Sequence, residues 1–361
     1  MLSNTAYRLR NNLGLTVAYF GGSITEGAGA SSYEACWAAK TTAWLRAEFP
    51  DCPIRHIQAA VGGTDSTLGV CRIGRDVLAR HPDLVFYEFA VNDSGMGASI
   101  FPNALKNAEA CFRKIWAADP TTDIVTVYTV TQSLADRMAQ GIVQPAKTAH
   151  AAVSYLYGVP QIDMGEALRT RVLTEGGDWL RYTTDTVHPN DDGYEICAAA
   201  VRERMKEWLS APADGLTPHS LLSPLIPEEE SRVNAGMRDC TEAESDGSWT
   251  LNEKSLCGRH PHYIECSDPG GELTLAFEGR RIGFYWMMAK DSGDALCSVD
   301  GGPFRTIRAW DHYCKSFSRA NAAWYPDELT PGRHTLRLRV SPDKAAESEG
   351  TALRIGAFLV M

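Results

Sequence analysis

Four short segments carry residue types that together could move an acyl group. Gly21-Gly22-Ser23-Ile24-Thr25 sets a serine on a glycine turn, where its hydroxyl can project with its backbone N–H nearby. A Gly-Ser turn that only caps a helix has the same look. With Thr25 in the last position, this is not the GxSxG nucleophile elbow. Val61-Gly62-Gly63-Thr64-Asp65-Ser66 can offer a glycine N–H to a developing oxyanion, or can be a simple turn. Val91-Asn92-Asp93 supplies an amide that could donate to the same oxygen, or is ordinary turn chemistry. Asp185-Thr186-Val187-His188-Pro189-Asn190 places a carboxylate three residues before a histidine. It can then reach Nδ1–H and fix the tautomer that leaves Nε2 as a base. A lone DxxH is otherwise a surface pair or part of a metal site. No other His/Cys/Asp cluster has metal-ligand spacing along the chain, so the chemistry calls for no metal and no cofactor.

These segments need a scaffold that presents them together. Residues 15–20, 54–61, 84–91, 124–130 and 159–164 are short runs rich in β-branched and aromatic side chains, which predicts strands. Near-continuous apolarity in the first and third predicts cover on both faces. Between the runs lie stretches with helical spacing, such as Leu105, Ala108, Phe112 and Ile115. Another, after His188, carries Cys197, Val201, Met205 and Trp208. Such alternation predicts an α/β fold with a doubly wound parallel sheet over residues 1–210. All four segments then fall at strand ends or just before helices, the edge where open α/β sheets bind ligands. Pro189 biases His188 towards an extended conformation, and Asn190 or Asp191 can cap the helix that follows.

From about residue 211 the texture changes. Pro212, Pro218, Pro224 and Pro227 punctuate a polar stretch, 211–230, that reads as a linker or a strap across the surface. Beyond it the pattern alternates, as in Leu273, Leu275, Phe277 and in Leu336, Leu338, Val340, with turn signals at Asp300-Gly301-Gly302 and Pro331-Gly332. Residues 231–361 therefore read as an all-β sandwich. Across 361 residues the formal charge is −10, with 44% apolar and 22% charged residues and no Lys/Arg block. That balance argues against nucleic acid and against an anionic membrane as partners. No window is long and apolar enough for a membrane span, and the start lacks a signal-peptide stretch. Ten cysteines scattered singly read as reduced thiols of a cytoplasmic protein.

Taken in chain order, the Ser, Gly, Asn and His segments over roughly residues 10–210 resemble the SGNH/GDSL hydrolase superfamily, whose fold is flavodoxin-like. The resemblance implies a serine ester hydrolase with Ser23 as nucleophile, His188 as general acid–base and Asp185 as its orienting partner. It also implies an oxyanion hole from the N–H groups of Ser23 and Gly63 and the Asn92 amide. Gly63 is preferred to Gly62 because the family glycine follows a small residue after an apolar strand end. Gly22 stands where the GDS signature has Asp, and Ala90 where Gly is frequent, which turns the likeness towards carbohydrate-directed branches. An SGNH domain followed by a β-sandwich resembles the two-domain mannan acetylesterases of carbohydrate esterase family seventeen, whose second domain is a jelly roll. The expected partner is then an acetylated oligosaccharide, a manno-oligosaccharide among the candidates, with Trp310 and His312 as expected substrate contacts and Trp179 either a further contact or buried under the DxxH loop. Trp310-Asp311-His312-Tyr313 is singled out because so polar and aromatic a loop is poor core material. Glu88, four residues before the Asn92 segment, reads as a buried carboxylate satisfied by polar neighbours. A thioesterase or lysophospholipase with the same residues, or a sugar-binding protein without activity, are the alternatives; association into a homo-oligomer stays open.

Overall fold

Strand β1 (Leu15–Gly21) buries nearly every side chain along its length, and so do β3 (Leu84–Glu88) and β4 (Asp123–Tyr128). Strands of that kind must be covered on both faces. In the computed structural model, which describes residues 2–95 and 97–361, they join β2 (Ile54–Gln58) and β5 (Gln161–Asp163) in a five-stranded parallel sheet of order β2-β1-β3-β4-β5. The helices are α1 (Ser3–Arg10), α2 (Ser23–Glu26), α3 (Trp37–Glu48), α4 (Ser66–Asp76), α5 (Ala90–Asp93), α6 (Ile100–Ala118), α7 (Gln132–Ala139), α8 (Pro145–Leu156), α9 (Met164–Thr174) and α10 (Asp191–Ser210). Val17, Tyr19, Phe86 and Val127 pack against α1, α3 and α10. Their neighbours Phe20 and Tyr87 face the other way, towards Arg72 of α4 and Phe112 of α6. The sheet is therefore doubly wound, as the alternation of elements predicts.

The predicted second, third and fourth strands overrun the observed ones by two or three residues at their C-terminal ends. Residues 59–61 and 89–90 are buried but lie beyond the strands, because an apolar run reports burial and not extended pairing; the N–H groups of Ala59 and Val61 still donate to the Tyr19 and Gly21 carbonyls of β1. These overrun residues are the turns that lead into Gly62 and Asn92.

Contacts divide the chain into Met1–Val233 and Asn234–Met361. The proline-punctuated stretch belongs to the first unit and is tied down along its length. Thr217 and Asn4 exchange bonds of 2.7 and 2.9 Å, and His219 Nε2 lies 2.9 Å from Asp123 Oδ1. Further on, the N–H groups of Leu225 and Ile226 donate to the buried Glu109 carboxylate. Arg232 reaches Asn103 and Asn107 of α6. It is a strap, and its backbone and side chains satisfy polar groups that would otherwise be buried unpaired.

In the second unit the strands are β6 (Gly236–Asp239), β7 (Glu244–Ser245), β8 (Thr250–Asn252), β9 (Tyr263–Cys266), β10 (Glu272–Gly279), β11 (Ile282–Met288), β12 (Asp294–Val299), β13 (Arg305–Arg308), β14 (Arg319–Trp324), β15 (Gly332–Val340) and β16 (Leu353–Val360). They form two antiparallel sheets, β13-β12-β15-β10-β7 and β14-β11-β16-β9-β8, with β6 also on β16. Inward residues of both sheets, such as Leu275, Leu338, Phe284 and Ile355, share one core. All ten cysteines carry unpaired thiols; nine are buried and Cys257 is half-buried. Among the described residues no helix is long and apolar enough to cross a membrane.

Candidate active site

Ser23 opens α2 directly after β1, so the hydroxyl stands at the C-terminal edge of the sheet. The Asp185–His188 loop reaches it from the N-terminus of α10. Asn190 caps that helix, its Oδ1 accepting from the Gly193 N–H at 3.0 Å. The helix start is anchored beside the Ser23 turn, since the Tyr194 hydroxyl donates to the carbonyls of Ile24 and Ala28 and Asp191 accepts from the Ser31 N–H and hydroxyl. Gly29, at φ +88°, lets the intervening chain pass against His188 and Pro189, where a side chain would collide with both.

Within the loop, Asp185 Oδ1 accepts from the N–H groups of Val187 and His188 at 3.1 and 2.8 Å, and Oδ2 accepts from His188 Nδ1 at 2.8 Å. His188 Nε2 then lies 2.8 Å from Ser23 Oγ and accepts its proton. Burial opposes ionisation of Asp185, but the His188 N–H, the imidazole and the Val187 N–H outweigh it and hold the carboxyl below the usual range. Thr186 adopts φ +66°, a cost for a β-branched residue, and its carbonyl is held by the Gln132 N–H at 2.9 Å. A serine, an acceptor nitrogen and a fixed carboxylate in this chain of bonds can deprotonate a nucleophile and return the proton to a leaving group.

Two further loops close on Ser23. A side chain on Gly62 would lie 3.5 Å from Ser23 Cβ, so this turn sits against Ser23. The Gly62 N–H, however, donates to Glu26 Oε2 at 2.7 Å. Gly63 is next along, at φ +69°. Asn92 lies on the one-turn helix α5, its amide against the Cα of Gly22, the residue before Ser23. Below them Glu88 is fully buried; burial pushes its carboxyl up, against bonds from the Thr25 and Thr129 hydroxyls (2.8 and 2.9 Å) and the Gly22 N–H. It ties the Ser23 turn to the end of β4, as a carboxylate satisfied by polar neighbours.

The expected substrate contacts fare differently. Trp179 is 6% exposed and packs with Val130, Leu168 and Tyr182, a core position beneath the DxxH loop and a correction to its place as a sugar contact. Trp310 also needs correction: it is 8% exposed and lies in the core of the β unit. The reason is local, since Asp311 caps a short 3-10 helix, His312–Lys315, that turns Trp310 and Cys314 inward. His312 and Tyr313 remain outside, their rings 3.9 Å apart, with Phe317 at 6.2 Å from Tyr313. Sequence reasoning also missed Asp239, Cys240 and His262, whose ligand-type atoms lie within 4.8 Å of one another. His262 stands more than twenty residues along the chain, beyond any motif spacing, and its Nε2 already pairs with the Asp239 carboxylate at 2.9 Å.

Residues 19–196 match the model of the GDSL-like Lipase/Acylhydrolase family. The fold of the whole chain is similar to that of a two-domain esterase active on acetylated mannans. In its crystal structure with mannopentaose the TM-score is 0.83 at 20% identity, covering 99% of this chain and 94% of that one. In a second crystal structure it is 0.84 at 20% identity, covering 100% and 95%. No curated protein sequence matches the chain.

Proposed function

We propose, from the match of residues 19–196 to the GDSL-like lipase/acylhydrolase family, that the protein is a serine-dependent carbohydrate O-acetylesterase acting on hemicellulose-derived oligosaccharides, manno-oligosaccharides foremost. The observation that carries the reading is the unbroken line from Ser23 Oγ to His188 Nε2 and from His188 Nδ1 to Asp185, each step 2.8 Å. Ser23 Oγ attacks the acetyl carbonyl carbon while its proton passes to His188 Nε2. The oxyanion is held by the N–H groups of Ser23 and Gly63 and by the Asn92 amide. Collapse breaks the bond to the sugar oxygen, which takes the proton from His188. Water, giving its proton to the same nitrogen, then releases acetate from Ser23.

Sugar as the substrate is supported by the likeness of the whole chain to an esterase active on acetylated mannans. Support also comes from the exposed rings of His312, Tyr313 and Phe317 on the β unit, which suit stacking on a pyranose face. A reduced, cytoplasmic setting with ten unpaired thiols fits deacetylation of imported oligosaccharides. The test is acetate release from acetylated manno-, xylo- and chito-oligosaccharides, beside 4-nitrophenyl esters of rising chain length. Preference for the manno series, abolished in Ser23→Ala, supports the proposal. Fast turnover of long-chain esters with untouched oligosaccharides would move the protein to thioesterase or lysophospholipase chemistry.

A further inference from the structure

Asp93 follows Asn92, yet nothing in the reaction above uses it. Its carboxylate is fully buried and accepts three hydrogen bonds: from the Ser66 N–H at 2.8 Å, the Ser66 hydroxyl at 2.7 Å and His150 Nε2 at 2.9 Å. Ser66 begins α4, three residues after Gly63. A single side chain therefore joins the turn that carries Gly63 to the turn that carries Asn92.

The supporting groups point to a dedicated joint. The Ser66 hydroxyl also accepts from Asn107 Nδ2 at 2.8 Å, which fixes its own proton towards Asp93. His150, on α8, is fully buried and its Nδ1 has no hydrogen-bond partner. The neutral tautomer with the proton on Nε2 leaves only a bare lone pair at Nδ1, so the ring's one polar contact is with Asp93. Burying a carboxylate, a hydroxyl and an imidazole is costly unless they satisfy one another, and a satisfied cluster has few other arrangements.

We propose that Asp93, through Ser66 and His150, is a positioning residue that sets the separation of the two oxyanion donors, Gly63 N–H and the Asn92 amide. Such donors act only when both lie within hydrogen-bond range of one developing charge, so a slip between their turns weakens the transition state more than the bound substrate. The inference rests on the reading of Ser23 as nucleophile and of Asn92 as donor.

A double-mutant cycle tests it, with turnover of 4-nitrophenyl acetate measured for Asn92→Ala, Asp93→Asn and the pair. Asp93→Asn keeps the shape and one acceptor but sets an NH2 against Ser66 and His150. The expected result is a fall in kcat of about tenfold or more with KM within about twofold, and little further loss when Asp93→Asn is added to Asn92→Ala. Losses that multiply, or a kcat that holds while only the melting temperature falls, would overturn it. If Asp93→Asn does not fold, Ser66→Ala, which removes one of the three bonds, goes through the same cycle under the same criteria. Retained activity in Ser23→Ala overturns the functional reading and this inference together. Activity lost in Ser23→Ala but unchanged in Asn92→Ala overturns only the oxyanion assignment and the inference built on it.

Discussion

Gly21 and Gly22 precede Ser23 for two different reasons, and neither is a left-handed backbone. A side chain on Gly21 would come within 2.5 Å of the Glu88 carbonyl and 2.9 Å of its carboxylate, while one on Gly22 would overlap the Asn92 amide oxygen. Gly22 has φ −95°, so alanine fits the backbone and meets only Asn92. Gly22→Ala is therefore expected to push the Asn92 amide out of place and lower kcat towards the level of Asn92→Ala, on the order of a hundredfold. Steady-state kinetics with a melting curve checks this; an unchanged kcat would mean that Asn92 is no donor. That Ser23, His188 and Asp185 could act together was legible in the sequence because each stands in a motif of three to five residues. The structure brings the three side chains into one line of hydrogen bonds. Asp93, Ser66 and His150 were not legible, since they lie 27 and 57 residues apart and each alone looks like turn or helix filler. Gly22 was read as a departure from a signature, and its neighbour in space explains it.

At the scale of elements, apolar runs located every strand of the parallel sheet but not where the strands stop. The residues just past the strands form the turns that matter here. Loops are joined there by carboxylates, the half-buried Glu26 to Gly62 and the buried Glu88 and Asp93 to Thr25 and Thr129 and to Ser66. In the β unit the corresponding tie is Asp239, at the end of β6, to His262, just before β9. Burial opposes ionisation of Asp239, but the Thr241 hydroxyl and N–H and His262 hold its carboxyl down at about 2. A carboxyl lowered in the folded state stabilises above its unfolded value, near 3.9, and that contribution is lost as the pH falls towards 2. Both partners are substantially exposed, so the effect stays below about 1 kcal/mol. Urea unfolding of the chain and of Asp239→Asn at pH values from 7 to 2 should give a gap in stability that closes across that window. A gap that does not vary with pH would rule out the charge on Asp239 as its source.

For the molecule as a whole, the alternation of elements and the later switch to alternating apolar residues made both fold classes legible, whereas the role of individual aromatics in the β unit was not. Burial there depends on which way a short helical turn rotates its residues, and no periodicity in Trp310-Asp311-His312-Tyr313 records that. The two rings now separate by experiment. Trp310→Ala should cost about 3–5 kcal/mol as a cavity in the core. Tyr313→Ala, at a site 47% exposed, should change stability by no more than about 0.5 kcal/mol while raising KM for oligosaccharides. Melting curves and kinetics on acetylated manno-oligosaccharides read both, and an unaltered KM in Tyr313→Ala would remove this loop from substrate recognition.

The unpaired thiols carry a consequence for how the two units come apart. Five lie in the N-terminal unit (Cys36, Cys52, Cys71, Cys111, Cys197) and five in the β unit (Cys240, Cys257, Cys266, Cys297, Cys314), and all but Cys257 are buried. Each unit thus contains its own set of buried reporters, five in the first and four in the second, silent to an alkylating reagent until that unit opens. Under rising denaturant, a mass spectrum in which those five and those four adducts appear in separate steps would mark sequential unfolding, and one in which all nine appear together would mark a single cooperative event.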